Sequence, residues 1–198
     1  SPRAYAILHR MHHAFSDTKK DPHSPMFSSN VFTMMWKTKD IYNAVLNRKN
    51  NVEERFEHDY PMSKMIEKIG DSWISRLGWG VAYASFYIFA YIQFDMHWLF
   101  FLLLPVHFLM GPVHGAIVNW SGHKYGYQNY DNHDHSKNSL VFDVIMMGEL
   151  FQNNHHKLPN QVNFASKWFE FDPTYPLIKL LTWLNIIKPN IKPADAKF

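Results

Sequence analysis

From Leu77 to Trp120 the chain holds no Lys or Arg, and Asp95 is the one acidic residue. This interval divides into "LGWGVAYASFYIFAYIQF", Leu77 to Phe94, and "WLFFLLLPVHFLMGPVHGAIVNW", Trp98 to Trp120. Each is close to the roughly 20 residues a helix needs to cross the hydrocarbon of a bilayer. Only "DMH" separates them, so the spacing predicts a tight helical hairpin. Trp79, Trp98 and Trp120 fall near the segment ends, where amphipathic rings sit at a membrane interface. Pro105, Gly111 and Pro112 are compatible with such a helix, because neighbouring helices satisfy the backbone groups they free. A buried helix pair in a soluble all-α protein is the alternative.

Charge orients the hairpin. Residues 1–76 carry 12 Lys and Arg and residues 121–198 carry 8, whereas the turn carries none. An excess of basic residues marks the cytoplasmic side. The expectation is therefore an all-α integral membrane protein in which one transmembrane hairpin, 77–120, carries a cytoplasmic His-rich helical cap. Arms 1–76 and 121–198 form that cap, and the second ends in the helix candidate "YPLIKLLTWLNIIK" and a Pro/Lys tail. A chain of 198 residues is one domain or part of a larger one. It opens on Ser1 without basic-then-apolar signal-peptide order. The scattered basic residues give no case for nucleic-acid binding.

The arms are rich in imidazole. "HRMHHAFSDTKKDPHSP" places His9, His12 and His13 at i, i+3 and i+4, one face of a helix. "NWSGHKYG" sets Asn119 and His123 four apart where the second apolar segment ends, and "GELFQNNHHKLP" adds His155 and His156 with Gln152 three residues before. The hairpin brings all three segments to one membrane face. With no cysteine, any metal must be held by nitrogen and oxygen. Imidazole suits Zn, Cu, Fe and Ni, and six histidines exceed one tetrahedral site, so two ions are expected. A pair of irons fits oxygen chemistry beside a membrane. Asp17 and Asp21 read either as acceptors that orient the ring N–H groups or as ordinary turn residues in "DTKKDP".

These segments, in this order around an apolar hairpin, resemble the second histidine box, the Asn-x-x-x-His motif and the third histidine box of the membrane fatty-acid desaturases, especially the stearoyl acyl-CoA or acyl-lipid type. The resemblance covers residues 1 to about 165. It implies two irons, dioxygen as co-substrate, and removal of two hydrogens from a saturated acyl chain held in a tunnel. It implies His9, His12, His13, His123, His155 and His156 as ligands, with Asn119 acting through water. Gln152 stands where the family has the first histidine of its third box and offers at most a carbonyl oxygen. The family's first box is not found, so the chain resembles the C-terminal part of a desaturase and is expected not to assemble a complete di-iron centre alone. No His-Pro-Gly-Gly haem motif occurs, so the electron donor is expected to be a separate protein, of ferredoxin, rubredoxin or cytochrome b5 type, or to lie in the missing part. "QNNHH" resembles bacterial members, which implies the inner membrane with the catalytic face cytoplasmic.

Other histidines read differently. His107 and His114 read as packing groups of the apolar helix, although an intramembrane ionisable group is a functional candidate by default. His133 and His135 read as a surface loop and His23 as a structural or substrate-lining residue, while His58 and His97 carry no argument. Trp168, Phe169 and Phe171 read as an interfacial segment or as ordinary helix packing. A lipid hydroxylase with the same ligands and a non-catalytic metal-binding membrane protein are the rival functions.

Overall fold

The computed structural model describes residues 1–49, 51–60, 63–70 and 72–188. The Pro/Lys tail lies outside them. Among the described residues seven α-helices follow in order: α1 Pro2–Phe15, α2 Val31–Leu46, α3 Lys64–Gly70, α4 Trp73–Phe94, α5 Leu104–Ser121, α6 Gln152–Lys157 and α7 Thr174–Trp183. Among the described residues there is no strand, only isolated bridges such as Tyr127 with Asn138 and Phe142 with Phe171.

Local chemistry sets the start of α1. The Ser1 hydroxyl accepts the Ala4 N–H, and Pro2 takes a first-turn position that needs no donor. One stripe of α1, Ala4, Ile7 and Leu8, packs with Val45 of α2 and with Phe56 into the main apolar core. Arg3 is buried beside it and donates to the Val45 carbonyl at the end of α2, satisfying an acceptor the helix terminus leaves free. Burying that stripe turns the histidine face of α1 the other way, toward the second arm.

The apolar segments form α4 and a continuous stretch Trp98–Ser121. Its first turns, Trp98–Leu103, are 3-10 rather than α-helical. Pro105 explains the change, since it has no N–H to carry the α ladder through this junction. Trp98–Ser121 is long and apolar enough to cross a membrane. In α4 the apolar run is diluted by Tyr83, Tyr87, Tyr91 and Gln93. Asp95 ends α4 in the left-handed region at φ 49°, and its N–H reaches the Ala90 carbonyl. The two helices meet through His107, which hydrogen-bonds the Tyr87 hydroxyl at 2.9 Å and stacks on the Tyr83 ring. Most of their large apolar side chains stay exposed, an arrangement stable in lipid and costly in water.

The expected cap is helical only in part. Residues 122–151 run as turns and bends because Asn, Asp, Ser and Gly side chains take over the backbone hydrogen bonds. Asn153 accepts from the Asn129 and Tyr130 N–H groups and donates to the Tyr130 and Ser136 carbonyls. Asp143 accepts from Met146 and Leu150 N–H. At Gly126, φ is +129° and an added Cβ would lie 2.1 Å from the Asn138 carbonyl oxygen. Gly126→Ala is therefore expected to destabilise the protein by about 1–3 kcal/mol, read as a lower melting temperature in detergent. An unchanged melt would contradict this backbone path.

Candidate metal centre

Three short elements deliver six imidazoles to one place. On α1, His9 and His13 are one helical turn apart and point together, while His12, about 100° from His13, turns aside. On α6, His155 and His156 are neighbours and likewise diverge. Asn153 and Asn154, just before them, anchor this helix: Asn154 donates to the Phe164 carbonyl and to Glu170, and accepts from Asn129 and Asn138. His123 follows Gly122, which ends α5. A Cβ on Gly122 would meet the Gln152 side chain at 2.5 Å, so α5 and α6 approach only because that residue is glycine.

The imidazoles sort into two adjoining groups. In the first, the Nε2 atoms of His9, His13 and His155 lie 2.9–3.2 Å from one another. In the second, the rings of His12, His123 and His156 have centroids 4.8–4.9 Å apart. His13 and His156 join the groups at 4.5 Å. A further set, His12, Asp21 and His23, shares His12 with the second group.

Both groups fit a metal. Three nitrogens within hydrogen-bond distance of one another have at most one proton each to share, and a cation between them removes the repulsion of their lone pairs. In the second group, Nε2 of His12, His123 and His156 is buried and has no protein partner. Their Nδ1 atoms are engaged: His12 donates to Asp21 at 3.0 Å, His123 to Asp17 at 2.9 Å and His156 to Asp134 at 2.6 Å. A carboxylate on one ring nitrogen fixes the tautomer that leaves the other free to bind metal. The carboxylates are themselves held, Asp21 by the Asp17 and His23 N–H groups and Asp17 by Ser24 and His135. Both also shape the turn after α1, where Asp17 adopts φ 55°. Asp134, in the loop "NYDNHDHSKN", was not singled out by sequence. Its only signal there is an acidic residue between two histidines.

Burial favours the neutral form of His9, His12, His13, His155 and His156, the form a metal needs. Burial, then repulsion from neighbouring rings, holds His12 and His155 well below the ordinary imidazole range, with His9 pushed down to about 4 and His13 to about 3. Burial raises Asp21 to about 6. At Asp134 burial also raises the value, but hydrogen bonds and charge from His156 and Ser136 outweigh it and hold the carboxyl well below its usual range. The linkage follows directly. The unfolded chain protonates His9 and His13 near 6.5 and the folded chain only near 4 and 3. Between those values the unfolded state binds more protons, so metal-free protein is expected to lose about 1.4 kcal/mol per pH unit for each such histidine as pH falls below about 6.5. Melts of chelator-treated protein from pH 7 to 5 check this, and a flat melting temperature would contradict it.

The remaining candidates lie elsewhere. The Gln152 amide donates to the Glu149 carbonyl at 2.7 Å, and Asn119 donates to the Gly115 carbonyl at 2.8 Å. His23 is buried against His12 with ring centroids 4.3 Å apart. His135 is exposed beside Asp17, and His58 pairs with exposed Asp59 far out on the first arm. Trp168 is 95% exposed. A cavity of about 420 Å³ lined by His13, Asp131, Asp134 and His156, among others, opens beside both groups.

Helices with an exposed apolar span and paired imidazole groups at its end define a class: membrane-associated proteins equipped to bind metal through histidine. Within that class, the fatty acid desaturase family model matches residues 1–179, and the chain belongs to this family. Relatives include an sn-1 stearoyl-lipid 9-desaturase of Synechocystis sp., 27% identical over 184 residues, covering 91% of this chain and 53% of that protein. An acyl-CoA 5-desaturase of Anemone leveillei is 27% identical over 194 residues, covering 93% and 54%. A hex-5-enoyl-[acyl-carrier protein] acetylenase of Moorena producens is 25% identical over 225 residues, covering 98% and 64%. The chain thus spans about half to two thirds of the length of these relatives. No solved structure matches.

Proposed function

We propose that this chain is the larger part of the metal centre of an oxygen-dependent fatty acyl desaturase that places a cis double bond in a saturated acyl chain. The observation that carries the reading is the pair of imidazole groups, His9 with His13 and His155, and His12 with His123 and His156, adjoining through His13 and His156. Each group would hold one iron, with the Gln152 carbonyl oxygen as a weak further ligand and Asn119 acting through a water. Bound there, two irons supply the activation of dioxygen needed to remove hydrogen from an unactivated methylene.

The chain's own residues do the positioning. Asp17, Asp21 and Asp134 orient rings and keep the Nε2 lone pairs aimed inward. The buried α1 stripe and the Asn153 and Asn154 anchors fix the two helices that carry five of the six imidazoles. The exposed apolar faces of α4 and α5 support a transmembrane hairpin, 77–120, with arms 1–76 and 121–198 on the cytoplasmic side of an inner membrane. A separate redox carrier delivers two electrons, which with two protons and the two hydrogens lost by the acyl chain reduce dioxygen to two waters. The substrate is an acyl-CoA or acyl-lipid.

The test is the fatty-acid profile of host membranes expressing the complete parent protein beside a His155→Ala variant. New monounsaturated chains absent from the variant are the expected result. Hydroxylated chains would make the protein a lipid hydroxylase, and an iron-loaded, inserted protein that changes nothing in the presence of its reductant would make it a metal-binding protein without this activity.

A further inference from the structure

The two imidazole groups share a donor type and differ in what stands behind it. In the group of His12, His123 and His156, every Nδ1 donates to a carboxylate, and the side chains of Asp21, Asp17 and Asp134 are 0%, 2% and 9% exposed. Asp134 is set for this role by Ser136, whose N–H and hydroxyl both donate to Oδ1 and leave Oδ2 to His156. Among the described residues no carboxylate hydrogen-bonds to His9, His13 or His155. His9 stacks on Tyr5 and His155 rests on Phe164 instead, and the His155 Nδ1 is buried without a partner among the described residues.

This difference bears on affinity. A carboxylate behind an imidazole raises the basicity of the ligating nitrogen and removes its rotational freedom, and loss of such a partner typically lowers metal affinity 10–100-fold. Three buried carboxylates also offset the charge of a divalent ion at short range, which neutral aromatic walls do not. Resting on the metal-centre reading above, we propose that the two groups are unequal metal sites: His12, His123 and His156 take the first divalent ion and hold it at least about 10-fold more tightly than the other group holds its own, with Asp134 as a positioning residue.

The test is a cobalt titration of the complete parent protein, metal-stripped in detergent under anaerobic conditions, followed by visible absorption against a competing chelator. Two phases are expected. Asp134→Asn should weaken the tight phase by about 10–100-fold and leave the weak phase in place, and Asp134→Glu should restore much of the loss. His123→Ala should remove the tight phase, His155→Ala the weak one, and Asp59→Asn, on an exposed pair, neither. Two ions bound in one phase, or a tight phase lost with His155→Ala, would overturn the inequality while leaving the metal centre standing. A parent that binds no cobalt would overturn the metal reading itself. If Asp134→Asn does not fold, the order of the two histidine variants decides the question.

Discussion

His12→Ala is expected to lower formation of unsaturated acyl chains by the parent protein more than about 100-fold, beyond the 10–100-fold typical of losing a partner behind a ligand. His12 is 1% exposed and central to the imidazole set. It lies 4.9 Å from His123, 4.8 Å from His156 and 4.3 Å from His23 between ring centroids. Truncation removes one nitrogen from the second group and strips Asp21, fully buried, of the ring it holds. The inward geometry of His123 and His156 would persist, but two imidazoles bind a divalent ion far more weakly than three. Metal content per protein should fall in step with product, which separates this outcome from simple misfolding. His58→Ala provides the comparison, since that ring is exposed and pairs with the exposed Asp59. Product at the unsubstituted level in His12→Ala would show that this imidazole group is not the reacting centre.

The second large effect is on stability. Glu170→Ala is expected to destabilise the second arm by about 3 kcal/mol or more, because several buried donors lose the one acceptor they share. Glu170 is 7% exposed, and its two oxygens accept from the Tyr127 hydroxyl, the Asn129 and Asn154 amides, and the Ser166 and Lys167 N–H groups. Removing the carboxylate strands these donors, and each buried unpaired group costs about 1–3 kcal/mol. Asn154 is the link to function, because it lies in α6 directly before His155 and His156. A melt of Glu170→Ala against the parent in detergent gives the stability term. Glu170→Gln, which keeps one carbonyl oxygen, should fall between the two. Equal melting temperatures for all three would mean the network contributes nothing to the fold.

How far the sequence reaches differs from element to element. The two apolar segments were legible because composition alone forbids charge there, yet the 3-10 start of Trp98–Ser121 depends on how Pro105 meets the preceding turn. The His9, His12 and His13 spacing announced one helical face, but not that the face divides between two groups. That division arises because burial of Ala4, Ile7 and Leu8 sets the roll of α1. The expected helical cap became turns over residues 122–151 because side chains take over its backbone hydrogen bonds, Asn153 from 24 residues away and Asp143 locally, a pattern with no helical or strand period to read.

By itself the sequence determined the donor chemistry: imidazole without thiolate, carried on polar arms around an apolar stretch free of Lys and Arg. Composition and short spacing suffice for that, since both are local properties of the chain. Only the tertiary structure decided which imidazole meets which, that Asp134 stands behind His156, and that Gln152 turns to the Glu149 carbonyl. Those partners come from segments up to 146 residues apart, as His9 and His155 are. Their pairing follows from how α1, α5 and α6 pack, a consequence of buried contacts that no local pattern encodes.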